Sequence, residues 1–181
     1  MQPAWFSASA RLLILVLVSP ATASSNCTPS SSNDAWKYME TFKQVYHKYM
    51  NEDLQLICAT LLQIQADAAR KEAIYNFTSM STTTSQPIRS SQTEILRVHD
   101  CPTDLGVYLQ SSGESLYNAT LLYSDYVNCT ILKHHDETDS CSMLLNPDAA
   151  ASDIQTCLSK FVNHCGNSYL DVYPESICGT P

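Results

Sequence analysis

The sequence is poor in basic residues and in glycine. Its 181 residues include 10 Lys and Arg against 18 Asp and Glu, which gives a formal charge of -8. Because nucleic-acid-binding domains usually present a basic face, this balance argues against that class. Only 4 residues are glycine, well below the usual share of about 7%. Hydrophobic residues make up 44% of the chain, too many for a disordered protein, and the length suits one domain.

Several catalytic and metal-binding motifs are also missing. The sequence contains no CxxC pair, which argues against a zinc ribbon or a thioredoxin-like site. It has no HExxH and no GxSxG motif, so the patterns of zinc proteases and serine hydrolases are absent. The one histidine cluster, His134-His135-Asp136, follows a strand pattern and is predicted to lie in a polar turn. We therefore predict a protein that is not an enzyme and has neither a metal site nor a cofactor.

The N-terminus has the features of a secretory signal peptide. Arg11 precedes an apolar run over residues 12–18, and residues 21–23 (Ala-Thr-Ala) form a signal peptidase site. The run is far shorter than the roughly 20 residues that span a bilayer, and no similar run follows. We predict that residues 1–23 are removed and that residues 24–181 form one secreted domain without a membrane anchor.

Cysteines and sequons fit an extracellular protein. All eight cysteines lie within residues 24–181, and an even number in an oxidising compartment predicts disulfides. Eight cysteines allow 105 pairings, so their count assigns none of them. Four Asn-x-Ser/Thr sequons are candidate glycosylation sites: Asn26, Asn76, Asn118 and Asn128.

The apolar pattern predicts short strands followed by one helix. Residues 34–50 predict a short helix that runs into a strand, and residues 81–91 predict a loop. Further strands are predicted over residues 54–64, 73–80, 94–99, 106–110, 117–126, 129–133, 141–145 and 169–173. Apolar residues at three- and four-residue steps from Ile154 to Cys165 predict a helix that starts near residues 146–148 and ends at Gly166. This order indicates a small antiparallel β-barrel with an appended helix.

Three segments resemble the tick salivary lipocalins of the histamine-binding-protein group. Residues 122–132 (LYSDYVNCTIL) resemble the YSDYxxCxVL segment of that family, and residues 34–37 (DAWK) resemble its N-terminal signature. The spacing of Cys157, Phe161 and Cys165 in the helix, with Tyr173 before Cys178, resembles its C-terminal pattern. The resemblance implies an eight-stranded antiparallel lipocalin-type barrel with a C-terminal α-helix packed outside.

The same resemblance implies two disulfides and a class of function. Cys58 would pair with Cys178 and Cys129 with Cys157, and the pairing stays open for the remaining four cysteines, Cys27, Cys101, Cys141 and Cys165. Family members bind small host mediators, so the resemblance implies a salivary protein that sequesters such a mediator and suppresses host inflammation. The alternative is an inhibitor of a host complement or clotting protein with no small ligand. The sequence leaves this alternative open, because the residues of a protein interface carry no motif.

The family pattern also bears on the ligand. Amine-binding members share an acidic residue after the strand cysteine and a later Glu-Leu-Trp/Tyr triplet, whereas this sequence has Thr130 and, at residues 142–145, Ser-Met-Leu-Leu. A buried ammonium needs a carboxylate partner, so we expect a leukotriene or fatty acid rather than histamine or serotonin. Asp34 and Asp125 remain possible acids for an amine. Candidate bases for a lipid carboxylate are Arg89, Arg97 and His99. Candidate cavity-lining residues are Trp36, Tyr46, Tyr75, Phe77, Tyr108, Tyr123 and Leu144.

Overall fold

The computed structural model describes residues 27, 33–53, 55–83 and 87–181. The predicted signal peptide and Asn26 lie outside the described residues. The strands are β1 (Gln44–Met50), β2 (Leu56–Asp67), β3 (Glu72–Ser81), β4 (Ile88–Val98), β5 (Asp104–Leu109), β6 (Ser115–Ser124), β7 (Cys129–His135), β8 (Cys141–Leu145) and β9 (Leu170–Asp171). The helices are α1 (Ala35–Thr41), α2 (Ala151–Cys165) and α3 (Glu175–Cys178). In the part of the chain so described, no helix is long and apolar enough to cross a membrane.

Strands β1 to β8 form a closed antiparallel barrel. Each strand pairs with the next, and β8 returns to pair with β1. Residues at alternate positions point inward, as in β3, where Ala73 and Tyr75 are buried while Ile74 between them is half-buried. The predicted eight-stranded barrel with a C-terminal helix outside is confirmed.

Helix α1 covers one end of the barrel, which we call the closed end. Asp34 caps the helix, because its carboxylate accepts hydrogen bonds from the backbone N–H groups of Trp36 (2.8 Å) and Lys37 (3.1 Å). On the inner face of α1, Tyr38 and Met39 are fully buried against the apolar core of the barrel. The strand order places the β3–β4 and β7–β8 connections at the other end, which we call the open end.

Helix α2 packs on the outside of the barrel wall. Its apolar stripe buries Cys157 and Phe161 in a second core, together with Ile131 and Met143 from β7 and β8. The outer face of these strands is therefore covered, and both faces of the wall are buried in this region. The helix ends at Gly166, as predicted, with a backbone φ of 88° that favours glycine.

The segment after α2 completes the barrel wall between β1 and β2. Strand β1 pairs with β2 only through residues Gln44 to Tyr46 and pairs with β9 through Tyr49 and Met50. Where β1 and β2 separate, Val172 bridges them: its N–H donates to Lys48 O (3.0 Å), and its carbonyl accepts from Cys58 N–H (2.9 Å). The short segment thus satisfies backbone groups that the separation of the two strands would leave unpaired.

Four disulfides account for all eight cysteines. Three of them fasten the C-terminal part to the barrel: Cys58–Cys178, Cys129–Cys157 and Cys141–Cys165. The first two are the pairings that the family resemblance implies. The fourth bond, Cys27–Cys101, ties the N-terminal segment to the loop between β4 and β5 at the closed end.

Several element boundaries differ from the sequence-based predictions, among them the starts of β4 and α2. Residues 88–91 were expected in a loop but belong to β4, because they pair with β3 in an unbroken register from Ser81↔Ile88 to Thr78↔Ser91. Helix α2 starts at Ala151 rather than near residue 146. Asn146 instead forms a turn in which its side chain accepts a hydrogen bond from Asp148 N–H (3.2 Å) and its carbonyl accepts from Ala149 N–H (3.0 Å).

The three sequons within the described residues lie on the barrel. Asn118 is exposed on β6, whereas Asn76 on β3 and Asn128 just before β7 are half-buried. Glycosylation at Asn76, Asn118 and Asn128 remains a prediction.

Candidate functional site

The interior of the barrel is divided into two chambers. The outer chamber, near the open end, has a volume of about 270 Å³. Its apolar lining consists of Met50, Leu56, Ala59, Phe77, Leu116 and Val172. Its polar lining consists of His47, Gln92, Glu94, Tyr117, His134 and Asp136. The volume lies just below the range of about 300–1,000 Å³ that is typical of small-molecule sites.

The inner chamber, toward the closed end, is filled by the protein's own side chains. Its volume is about 10 Å³, which is room for about one water molecule at most. Tyr38 from α1 forms its floor, and Leu61, Leu96 and Leu144 belong to its apolar wall. Within the barrel, a ligand larger than a water molecule therefore has room only in the outer chamber.

A buried carboxylate lies on the β4 side of the outer chamber. The Glu94 side chain is 3% exposed, and its Oε1 accepts a hydrogen bond from Gln92 Nε2 at 2.6 Å. Burial raises the pKa of Glu94, and the hydrogen bond from Gln92 opposes this shift only in part. Burial also raises the pKa of Tyr117, and the negative charges of Glu94 and Asp136 raise it further. Tyr117 therefore lies near both acids and interacts electrostatically with them.

A second acid, Asp136, lies at the rim of the chamber just after β7. Burial acts against its ionisation, but hydrogen bonds from the side chain and backbone of Thr138 lower the pKa of the Asp136 carboxyl. Asp136 is therefore ionised at neutral pH. The region 134–136, predicted as a polar turn, instead starts within β7 and brings both His134 and Asp136 to the chamber. The reason is that the strand extends two residues beyond its predicted end at Lys133 and pairs with β6 up to His135.

Two buried histidines face the chamber from the opposite side. Burial and, to a smaller extent, the nearby His134 lower the pKa of His47 to about 3. Burial also lowers the pKa of His134 to about 4, although Asp136 acts in the opposite direction. His134 Nε2 is bonded to Ser142 Oγ at 2.7 Å, whereas His47 Nδ1 is buried without a hydrogen-bond partner in the described chain. Both imidazoles are neutral at pH 7.

The strand order sets the polarity of the chamber. In the closed barrel, β4 is separated by two strands from β1 on one side and from β7 on the other. Glu94 on β4 therefore lies across the barrel from His47 on β1 and His134 on β7. The site can pair a cation with a carboxylate on one wall and offers neutral hydrogen-bonding rings on the other.

The structure brings some of the predicted lining residues to the interior. Phe77 lines the outer chamber and Leu144 the inner one. Tyr75 is fully buried in the core, and its hydroxyl accepts a hydrogen bond from Gln63 Nε2 at 3.0 Å. Trp36 is half-buried and packs against the same core from α1 at the closed end.

The other three predicted lining residues lie outside the barrel wall, which corrects the expectation for them. Tyr46 packs on Tyr173 with ring centroids 4.7 Å apart, and Tyr123 lies beneath Lys160 of α2. Tyr108 contacts Arg97 on the outer surface, with the guanidinium carbon 5.2 Å from the ring centroid. Helix α2 buries the outer face of the strands that it covers, so a buried aromatic there need not point inward.

The charged candidates also lie away from the chamber. Arg97 pairs with Glu72 on the outer surface, and Arg89 and His99 are exposed. Asp34 caps α1, and Asp125 accepts hydrogen bonds from the backbone N–H groups of residues 127–129. Among the described residues, one cluster has metal-like spacing, Asp125 with Cys129 and Cys157, but its two sulfurs are bonded to each other.

The sequence-based prediction missed Glu94, Asp136 and the two histidines. A signal for Glu94 was present in the alternation of β4, because residues at steps of two share a face. Glu94 and Leu96 are both buried and face inward, whereas Arg97 between Leu96 and Val98 is exposed. An acid in phase with the apolar residues of a strand is a candidate for a barrel interior.

Comparisons with known proteins agree on the family and the fold. A family model described as tick histamine binding protein matches residues 25–179. No curated protein matches the sequence significantly. A solved structure of AM182 in complex with serotonin is 15% identical, with a TM-score of 0.58 over 87% of this chain and all of that chain. Japanin from Rhipicephalus appendiculatus, bound to cholesterol, is 10% identical, with a TM-score of 0.55 over 72% of this chain and 91% of that chain.

At such low identities the two solved structures support the fold alone. The family model covers most of the sequence, including the barrel strands, helix α2 and all eight cysteines. The chain therefore belongs to the tick histamine-binding protein family.

Proposed function

We propose that the protein is secreted and sequesters a small organic amine in the outer chamber, thereby suppressing host inflammation. The observation that carries this proposal is the buried carboxylate of Glu94 in a cavity with a largely apolar wall. A buried carboxylate is costly when it is ionised alone, and its raised pKa reflects that cost. A protonated amine beside it would form the missing ion pair and favour ionisation.

The same lining makes an anionic lipid a poorer match. Neither lysine nor arginine is among the described residues that line the outer chamber, and both of its histidines are neutral at pH 7 because burial lowers the pKa of each. A fatty acid would also need room for an extended chain, and the inner chamber is filled. The sequence alone favours a lipid, because the acidic residues of the amine-binding family pattern are replaced by Thr130 after the strand cysteine and by Ser-Met-Leu-Leu at residues 142–145. Here Glu94, on another strand, supplies a carboxylate.

The solved relatives support a small ligand in general. AM182 is described in complex with serotonin, and Japanin with cholesterol. One of these ligands is an amine and the other is a neutral lipid, so the fold accommodates either class. The choice of an amine for this chain therefore rests on its own chamber.

Calorimetric titration tests the proposal with three ligands: histamine, serotonin and a fatty acid. We expect wild-type protein to bind an amine, and Glu94→Gln to bind it at least about tenfold more weakly, since losing one partner of a buried charge pair costs about 2–5 kcal/mol. The matched control is Glu72→Gln, which removes the same charge from the outer surface of the neighbouring strand. We expect this control to bind as wild type does.

Three results would contradict the proposal. Tight binding of the fatty acid without the amines would favour the lipid function. Equal amine affinity in wild type and Glu94→Gln would place the amine elsewhere. Binding of neither class, together with inhibition of complement or clotting by the purified protein, would favour the alternative of a protein-interaction inhibitor.

A further inference from the structure

His47 is a buried polar side chain whose hydrogen bonding is incomplete. It is 7% exposed, it lines both chambers, and its Nδ1 has no partner among the described residues. The ring of Phe77 packs edge-on beside it, with ring centroids 6.4 Å apart, and offers no hydrogen bond. An unsatisfied buried polar atom destabilises the folded protein. Such groups in native structures call for an explanation, and a ligand is one.

The second histidine of the chamber provides a comparison within the same site. His134 is also buried and neutral, but its ring is already held by Ser142 Oγ at 2.7 Å. The two rings are close enough to influence each other's charge. His47 is therefore the imidazole with hydrogen-bonding capacity left over. His47 lines the outer chamber, so its ring is within reach of a ligand there.

We propose that His47 binds a second polar group of the ligand, a hydroxyl at the end opposite the ammonium. This inference rests on the proposed function, in which Glu94 holds the ammonium. Glu94 and His47 lie on facing walls of the barrel, so one ligand can reach both only if its polar groups are at opposite ends. The apolar side chains of Met50, Phe77 and Val172 line the same chamber and would contact the ligand's middle.

The ligand class is therefore a short aromatic amine with a distal hydroxyl. A neutral imidazole carries one N–H donor and one acceptor nitrogen, so it can serve the hydroxyl in either direction. A site with a buried group of this kind discriminates against an analogue that lacks the hydroxyl, because the protein group is then left unpaired. An alkyl amine or an unsubstituted aromatic amine would leave His47 unsatisfied.

Two amines that differ by one hydroxyl test this inference. Tyramine carries a phenolic hydroxyl opposite its ammonium, and phenethylamine is the same molecule without it. We expect wild-type protein to prefer tyramine by about tenfold or more, which corresponds to one satisfied buried hydrogen bond. The preference should vanish in His47→Phe and should persist in part in His47→Gln, which keeps a donor and an acceptor.

His134→Phe is the matched control, because it removes the neighbouring imidazole that is already bonded to Ser142. We expect it to change the affinity for both amines by the same factor and to keep the preference. Equal binding of the two amines by wild type would overturn the role of His47 and leave the proposed function standing. A preference that survives in His47→Phe would also overturn it. If neither of these amines binds and histamine and serotonin do not bind either, the proposed function fails and this inference fails with it.

Discussion

The two buried histidines, His47 and His134, predict how the stability of the protein depends on pH. In the unfolded chain each imidazole has an ordinary pKa of about 6.5. In the folded protein burial lowers the pKa of His47 to about 3 and that of His134 to about 4. As the pH falls below about 6.5, the unfolded state therefore binds protons that the folded state does not. Stability is present above this pH and is lost progressively below it.

The size of this loss follows from the unfolded pKa. At about pH 5 both histidines remain neutral in the folded protein, whereas this pH is about 1.5 units below the pKa of each histidine in the unfolded chain. Because one unit corresponds to about 1.4 kcal/mol, each ring contributes a loss of about 2 kcal/mol between about pH 7.5 and pH 5. Glu94 acts in the opposite direction, because burial raises its pKa and the folded state then gains protons more readily. Single variants are needed to separate these contributions.

Urea unfolding at the two pH values provides the assay. We expect His47→Phe and His134→Phe each to lose about 2 kcal/mol less than wild type on acidification. His164→Asn serves as the surface control, because His164 is exposed on α2. If His47→Phe loses as much stability as wild type between the two pH values, the ring is not buried in its neutral form and the reasoning fails.

Three further predictions concern the loop at the closed end, the inserted segment and the outer helix. In urea titrations, Asp125→Ala should cost about 2 kcal/mol at neutral pH, because the carboxylate accepts three backbone hydrogen bonds. Burial raises the pKa of Asp125, but these bonds together lower it below its ordinary value, so the difference from wild type should shrink as the pH falls below the ordinary carboxyl pKa of about 3.9; a constant difference would contradict this account. Val172→Ala, which trims the chamber wall, should weaken amine binding several-fold in calorimetry, whereas Leu170→Ala, at a side chain 47% exposed, should not; equal effects would refute the assignment. Phe161→Ala should cost about 3–5 kcal/mol in thermal unfolding while the folded protein keeps its ligand affinity, since α2 lies outside the wall; a matching loss of affinity would argue otherwise.

Most helices and strands could be predicted, because the pattern that indicates each of them depends only on residues close together in the sequence. The pattern of residues 34–50 predicted α1 followed by a strand, and the spacing of Cys157 and Phe161 predicted the apolar stripe of α2. The start of α2 was predicted too early because Asn146, a good capping residue, is used in a turn instead. The polar beginning of β4 was missed because its pairing with β3, rather than its own pattern, makes it a strand.

The contents of the chamber depend on which face of each strand is inside, and alternation alone does not tell the two faces apart. Tyr46 and His47 are adjacent and both buried, yet Tyr46 packs outside on Tyr173 and His47 faces the chamber. Only the position of α2 and of the inserted segment decides which face is which. The pairing of Cys141 on β8 with Cys165 on α2 likewise depends on how the two elements pack, which brings their Cα atoms to 6.0 Å. No local sequence pattern predicts it.

The insertion of residues 170–173 between β1 and β2 also constrains the order in which the protein matures. All eight barrel strands are synthesised before this segment, so a nascent chain at that stage has an unsealed seam at Lys48 and Cys58. Cys58 must remain available until a partner 120 residues later emerges. Unpaired strand edges invite association between chains, so this stage is the one most exposed to aggregation and to mispaired cysteines. The outer chamber, whose wall includes Val172, is complete only after the seam has closed.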